Sequence, residues 1–245
     1  MLELFIDQGN TALKWQLYEQ NKRLSAGAFG NDASLVDSFK RFEGNTLSAI
    51  YVASVANSAF EDALNKWAKQ CSQPAPIFVR STVKACGLTN GYEKAEQLGV
   101  DRWLAMIAAH HKYSGMLCVV DSGTALTMDV VSAEGLHLGG FIVPGSELMV
   151  SSLLLNTQQI DLALEAKESG LGKNTTEAVL LGIEQMLQAF VNQKTQQLMG
   201  QYGQPIKVVL AGGHAMVLAK GLLGKYWLEP DLVFQGLRLM VGRTP

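Results

Sequence analysis

The chain has 245 residues, 48% hydrophobic and 17% charged, so it can bury a sizeable core, and disorder is excluded as a description of the whole. Its net charge is -2 with a pI near 6.1, and Lys and Arg are scattered rather than clustered, which leaves out the basic footprint of a nucleic-acid binder. No apolar run approaches the ~18 residues that cross a bilayer, and the first strand starts directly after Met1 without a basic segment, so a cytoplasmic protein with no membrane partner is expected.

In chain order, residues 2–6, 13–18 and 25–29 read as strands, the first two joined by a turn at Gly9 and Asn10. "DASLVDSFKRF", residues 32–42, has apolar residues at helical spacing, and the strand "LSAIYVASV" follows. "AFEDALNKWAKQC" predicts a second amphipathic helix, "PIFVR" a further strand, and "LGVDRWLAMIAAH" a helix that opens near Asp101. The second half begins with the strand-turn-strand "CVVDSGTALTMDVV", and "SAEGLHLGGFIVPG" supplies its third strand. Helices over 146–156 and 174–200, the strand "IKVVLAG" and a closing helix over 232–242 complete the chain. Both halves share one order of elements, which predicts an α/β fold with a mixed sheet in each. With no Pro- or Ser-rich linker, the boundary is placed near Gly115, giving domains 1–115 and 116–245.

The repeat is sharpest at two acidic turns. Asp-x-Gly-Asn-Thr-Ala-Leu at Asp7–Leu13 and Asp-x-Gly-Thr-Ala-Leu at Asp121–Leu126 differ by one inserted residue. Glycine at a hairpin turn has a sufficient explanation in backbone geometry; a carboxylate at the end of a buried strand does not, because desolvating it is costly unless a cation or donors meet it. Phosphates are held by turn N–H groups, by hydroxyls and by a cation that a carboxylate coordinates. Asp7, Gly9, Asn10 and Thr11 supply one such set, and Asp121, Gly123, Thr124 and Thr127 a second.

Other candidates are weaker taken singly. Asp101 and Arg102 at a helix start read equally as a helix cap or as a proton acceptor beside an anion-binding guanidinium, and the residues leave both open. Gly212-Gly213 in "VVLAGGHA" ends a strand where backbone can approach a nucleotide closely. Pro144-Gly145 reads as a stiffened strand exit, and Asn174 or Thr175 as a helix cap with Glu177 in the first turn. Cys71, Cys86 and Cys118 have no Cys-x-x-Cys spacing and are expected to be buried thiols. His110 and His111 diverge by about 100° on a helix, so a structural or surface role outweighs a metal site.

Taken in order, Asp-x-Gly-Asn-Thr at 7–11, Gly-x-Asp-Arg at 99–102, Asp-x-Gly-Thr-Ala at 121–125, Gly-Gly-x-Ile-x-Pro-Gly at 139–145 and the late Gly-Gly resemble type III pantothenate kinases over essentially the whole chain. That family belongs to the actin, Hsp70 and sugar-kinase superfamily, so the resemblance implies two ribonuclease-H-like domains, each a mixed five-stranded sheet flanked by helices, in an actin-like ATPase fold. It implies ATP-dependent phosphorylation of the primary hydroxyl of pantothenate to 4'-phosphopantothenate, the first step of coenzyme A biosynthesis. Another small-molecule kinase of the superfamily and a non-catalytic ATP-binding regulator are the alternatives.

Residue by residue, the resemblance implies a phosphate loop over Asp7–Lys14, with Asp7 organising Mg²⁺ and Gly9, Asn10, Thr11 and Lys14 at the nucleotide. Asp101 would be the general base, and Gly99, Val100, Asp101 and Arg102 would bind pantothenate, with Arg102 near its carboxylate. A monovalent cation, K⁺ or NH₄⁺, would sit at Asp121, with Thr124, Gly212 and Gly213 at ATP. Tyr92 and either Thr175 or Thr176 match substrate-contacting positions, and a homodimer is implied. The chain departs from the family pattern at Glu93-Lys94-Ala95-Glu96-Gln97, where many members carry a proline, and at Ser146, where a leucine is usual.

Overall fold

The computed structural model describes residues 1–30, 38–42, 44, 46–56, 58–156 and 170–244. The chain forms two compact units, Met1–Lys112 with Asp231–Pro245, and Tyr113–Pro230.

In the first unit β1 (Leu2–Gln8), β2 (Ala12–Glu19), β3 (Lys22–Gly30), β4 (Leu47–Ser54) and β5 (Ile77–Val79) form one sheet in the order β3-β2-β1-β4-β5. β1 runs antiparallel to β2 and parallel to β4, so it lies in the middle of a mixed sheet. Its residues alternate between two cores, as side chains on a strand must. Leu4 and Ile6 point with Leu13, Trp15 and Leu17 to a layer containing Phe39, Phe42, Leu64 and Trp67. Phe5 joins Tyr51 and Ala53 on the other face, against Val100, Leu104, Phe234 and Leu237. Helix α1 (Ser58–Gln70) buries Leu64, Trp67 and Ala68, a stripe at i, i+3 and i+4. Helix α2 (Val100–Lys112) is buried almost all round. Of the helix expected over 32–42, residues 32–37 lie outside the described residues; its end is a 3-10 turn over Lys40–Phe42. A two-stranded hairpin, β6 (Lys84–Ala85) with β7 (Leu88–Thr89), precedes α2 and is absent from the sequence reading.

The second unit repeats the plan. β8 (Met116–Ser122), β9 (Ala125–Val131), β10 (His137–Pro144), β11 (Ile206–Ala211) and β12 (Tyr226–Leu228) are ordered β10-β9-β8-β11-β12, with β8 antiparallel to β9 and parallel to β11. Two sheets of identical order bear out the internal repeat and the ribonuclease-H-like fold of each half. Helices α3 (Ser146–Asn156), α4 (Thr175–Tyr202) and the short α5 (Ala215–Ala219) belong to this unit. Cys118, Val120, Leu126 and Met128 pack against Ile183, Leu187 and Val191 of α4. Asn174 is the N-cap of α4: its side chain accepts from Glu177 N–H at 2.9 Å while the Glu177 carboxylate accepts from Lys173 N–H at 2.8 Å. His137 is fully buried and paired with Asp129 at 2.9 Å, a structural role.

The closing helix α6 (Leu232–Met240) was assigned by sequence to the second half, yet Asp231–Pro245 belongs to the first unit. Phe234 and Leu237 complete the core over Phe5 and Leu104. Arg238 stacks 3.8 Å from the Tyr18 ring and donates to Thr244 O at 2.6 Å, and Arg243 grips Glu3 with bonds of 2.6, 3.0 and 3.1 Å. The expectation that all three cysteines are buried also needs correcting. Only Cys118 is buried, its thiol pushed up to about 12 by desolvation, whereas Cys71 is half-buried and Cys86 is exposed on the β6–β7 turn.

The packing of α6 on α2 leaves no room at Gly236, where a Cβ would stand 2.0 Å from Leu104 O and 2.6 Å from its carbonyl carbon. Backbone cannot yield cheaply, so Gly236→Ala is expected to cost about 3 kcal/mol or more. In a thermal melt this reads as a Tm lower by roughly 6 °C or more. A Tm within about 1 °C of the parent would show that the two helices have slack the distances do not suggest.

Candidate active site

Asp7 is the penultimate residue of β1, half-buried, and lies opposite Lys14 in the β1–β2 register. The turn that follows is closed by Gly9 N–H donating to Ala12 O at 3.1 Å, leaving Asn10 and Thr11 exposed at its tip. Val55 N–H donates to Gln8 O at 3.1 Å, so the end of β4 braces this turn.

The same unit assembles the Gly-x-Asp-Arg residues. Trp103 N–H donates to Gly99 O at 3.0 Å, so α2 begins at Val100 and Asp101 lies in its first turn, where a carboxylate meets the positive end of the helix dipole. Asp101 Oδ1 accepts from Arg102 N–H at 2.8 Å and folds back over Gly99, 2.6 Å from the place a Cβ would take there. Arg102 is only 7% exposed; its Nη1 donates to the Tyr92 hydroxyl at 2.9 Å and its guanidinium lies 5.6 Å from the Tyr92 ring centre. The two residues are joined despite the intervening segment without proline. That segment makes a 3-10 turn over Ala95–Gln97 and returns through buried Leu98.

In the second unit Asp121 is the penultimate residue of β8, half-buried and opposite Thr127. Gly123 N–H donates to Ala125 O at 3.0 Å, closing a turn one residue tighter than its counterpart. Two later segments come to this turn. Gly145 N–H donates to Thr124 O at 2.9 Å, and a Cβ at Gly145 would stand 2.2 Å from Gly123 O. His214 N–H donates to Ser122 O at 2.9 Å, and Gly212, at φ +92°, lies so close that a Cβ would be 2.4 Å from Ser122 O and 2.7 Å from Asp121 Oδ1. Beside the cluster is a cavity of about 180 Å³ lined by Ser122, Ser146, Ile183, Leu187, His214 and Leu218. At the start of α4 the two candidate threonines differ: Thr175 is exposed at the rim of a shallow depression and Thr176 is buried.

Sequence reasoning took Gly145 for a strand exit and overlooked Ser122 and His214. The paired strand order was the signal available for Gly145, because it puts the end of β10 beside the β8–β9 turn. Nothing in the sequence marked His214 N–H. Asp7, Asp101, Arg102 and Tyr92 lie in the first unit, and Asp121, Thr124, Gly212, Gly213, Thr175 and Thr176 in the second. Among the described residues no group of three or more His, Cys, Asp or Glu is placed to hold a metal.

Two α/β units of the same strand order, each with an acidic glycine turn at the carboxyl end of its central strand, define the actin-like ATPase fold. Solved structures agree on that fold: a Campylobacter jejuni protein assigned to the Baf family of transcriptional activators has a TM-score of 0.62 at 19% identity, over 97% of this chain and 96% of that one. The ethanolamine utilization protein EutJ of Carboxydothermus hydrogenoformans has a TM-score of 0.53 at 10% identity, over 98% and 90% of the two chains. The type III pantothenate kinase family model matches residues 3–197. The type III pantothenate kinase of Nitrosococcus oceani is 34% identical over 245 residues, covering 96% of this chain and 91% of that protein. The chain belongs to the type III pantothenate kinase family.

The backbone contacts of Gly145 give the turn cluster a direct test. Gly145→Ala is expected to push the Gly123–Thr124 turn out of place and weaken binding of a non-hydrolysable ATP analogue at least about tenfold by calorimetry. Unchanged affinity with an intact fold would reduce the cluster to a packing feature.

Proposed function

We propose that the chain transfers the γ-phosphoryl group of ATP to the primary hydroxyl of pantothenate, giving 4'-phosphopantothenate and ADP, and that Asp101 is the base. The observation that carries this reading is the first turn of α2, where a half-buried carboxylate stands next to a buried arginine already held by a tyrosine. A primary alcohol is a weak nucleophile, and phosphoryl transfer through a loose transition state needs alignment and charge neutralisation above all. Asp101 orients the hydroxyl and takes its proton as the oxygen bonds to the γ-phosphorus and the bond to the ADP oxygen breaks. Arg102 binds the pantothenate carboxylate, a planar anion that suits its fork of donors. Gly99 and Val100 shape the approach, Tyr92 orients the guanidinium, and Thr175 is the substrate-contacting hydroxyl in preference to buried Thr176.

For the nucleotide we assign Gly9, Asn10, Thr11 and Lys14 to one phosphate turn and Thr124, Gly212 and Gly213 to the other, with the 180 Å³ cavity beside the second taking the nucleoside. Asp7 suits Mg²⁺: a half-buried carboxylate at the mouth of a glycine turn fits a hard cation that keeps several waters. Asp121, close against Gly212 and opposite Thr127, suits a monovalent cation, K⁺ or NH₄⁺. Cations held by Asp7 and Asp121 would supply neutralisation of charge on the phosphates. We place the enzyme in the cytoplasm as a homodimer; among the described residues no helix is long and apolar enough to cross a membrane.

ADP release with ATP and Mg²⁺ is expected only when pantothenate is added, and to be faster in K⁺ than in Na⁺. Asp101→Asn should lower turnover at least about a hundredfold with the melting curve unchanged. Near-normal turnover by that variant would exclude Asp101 as the base, and ATP binding without pantothenate-dependent turnover of the parent would exclude the substrate.

A further inference from the structure

The Tyr92–Arg102 pair depends on a loop with little means of ordering itself. Residues 91–97 contain no proline, and the β6–β7 hairpin ahead of them has two residues per strand, with Thr82, Val83, Lys84, Cys86 and Gly87 exposed. A hairpin of that size is not stable alone. The Ser81 hydroxyl donates to Leu98 O at 2.7 Å and closes the loop's two ends, and Asn90 fastens its interior. Asn90 is 8% exposed, and its backbone N–H donates to Val83 O at 2.9 Å. Its side-chain N–H groups donate to Thr82 O at 3.3 Å and Ala95 O at 3.2 Å, while Oδ1 accepts from Tyr92 N–H at 3.0 Å. Asn90 therefore ties the segment before the hairpin, the backbone of Tyr92 and the start of the 3-10 turn to a single point. From Tyr92 the chain of contacts continues through its hydroxyl to Arg102 Nη1.

We propose that Asn90 is a positioning residue for substrate binding: it holds the Tyr92 backbone so that the phenol meets Arg102, which presets the guanidinium for the substrate carboxylate. This deepens the pantothenate reading above and rests on it. Asparagine is well suited to the task because one amide offers two donors and an acceptor in a plane, matching two carbonyls and one N–H. Serine keeps an acceptor for the N–H two residues on, but its single O–H donor can serve at most one of the two carbonyls. Without Asn90, ordering the loop becomes a cost of binding substrate, so the loss falls on substrate affinity rather than on ATP.

Steady-state kinetics with each substrate varied in turn tests this. Asn90→Ala is expected to raise KM for pantothenate at least about tenfold while KM for ATP stays within about twofold. Asn90→Ser should fall between the parent and Asn90→Ala. Because Asn90 acts through Tyr92, the double variant Asn90→Ala/Tyr92→Phe should be within about twofold of the worse single variant. If Asn90→Ala proves too unstable to assay, the KM split in Asn90→Ser carries the test. An equal rise in both KM values marks Asn90 as a general stabilising residue and overturns the proposal, as does multiplicative loss in the double variant or a pantothenate KM within about twofold of the parent. A parent enzyme with no pantothenate-dependent ADP release would instead remove the substrate reading, a result distinguishable from failure of Asn90's role.

Discussion

The constraint from which the rest follows is that β1 and β8 are central strands of mixed sheets. Leu4, Phe5 and Ile6, like Leu117, Cys118 and Val120, are wholly buried, and such strands can carry a charge only where it is paired or where the strand leaves the sheet. Glu3 and Asp129 are buried within strands, and each has a cationic or histidine partner, Arg243 and His137. Asp7 and Asp121 take the other option. Both stand one residue before their strand ends, half-buried, at the mouth of a glycine turn. Burial thus confines these two acids to the carboxyl end of the central strand, where open sheets of this kind bind ligands.

The order of strands then decides what surrounds each acid. In the second unit β8 lies between β9 and β11, so the carboxyl ends of β8, β10 and β11 all reach the Gly123–Thr124 turn. Three glycine segments can occupy that space only because none carries a Cβ; at Gly145 and Gly212 one would fall well inside contact distance of backbone oxygen. In the first unit the corresponding support is different. β4 braces the Asp7 turn through Val55, and the groups with proton-accepting and anion-binding chemistry are brought by α2 and by the loop that Asn90 fastens. A duplicated fold has been put to unequal uses, with backbone turns dominating one unit and side chains the other.

Much of this was legible in the sequence. The repeat of Asp-x-Gly turns, the order of strands and helices, the start of α2 at Gly-x-Asp-Arg and the cap of α4 all rest on local rules: alternation, helical spacing, turn residues and capping, which act over a few neighbours. Five ordered motifs were enough to suggest the family. What required the folded chain was anything joining distant residues. The return of Asp231–Pro245 to the first unit depends on Phe234 and Leu237 fitting between Phe5 and Leu104 and on Arg238 and Arg243 finding Tyr18 and Glu3, none of which has a local signature. The exposure of Cys86, the burial of Thr176 beside exposed Thr175, and the pairing of Tyr92 with Arg102 are likewise long-range matters of packing. Local sequence was enough to place most of the strands and helices and to nominate residues of suitable chemistry, because those signals come from near neighbours; the short β6–β7 hairpin carried no such signal. Only tertiary structure decided which of those residues meet, because burial and hydrogen-bond satisfaction are settled between segments far apart in the chain.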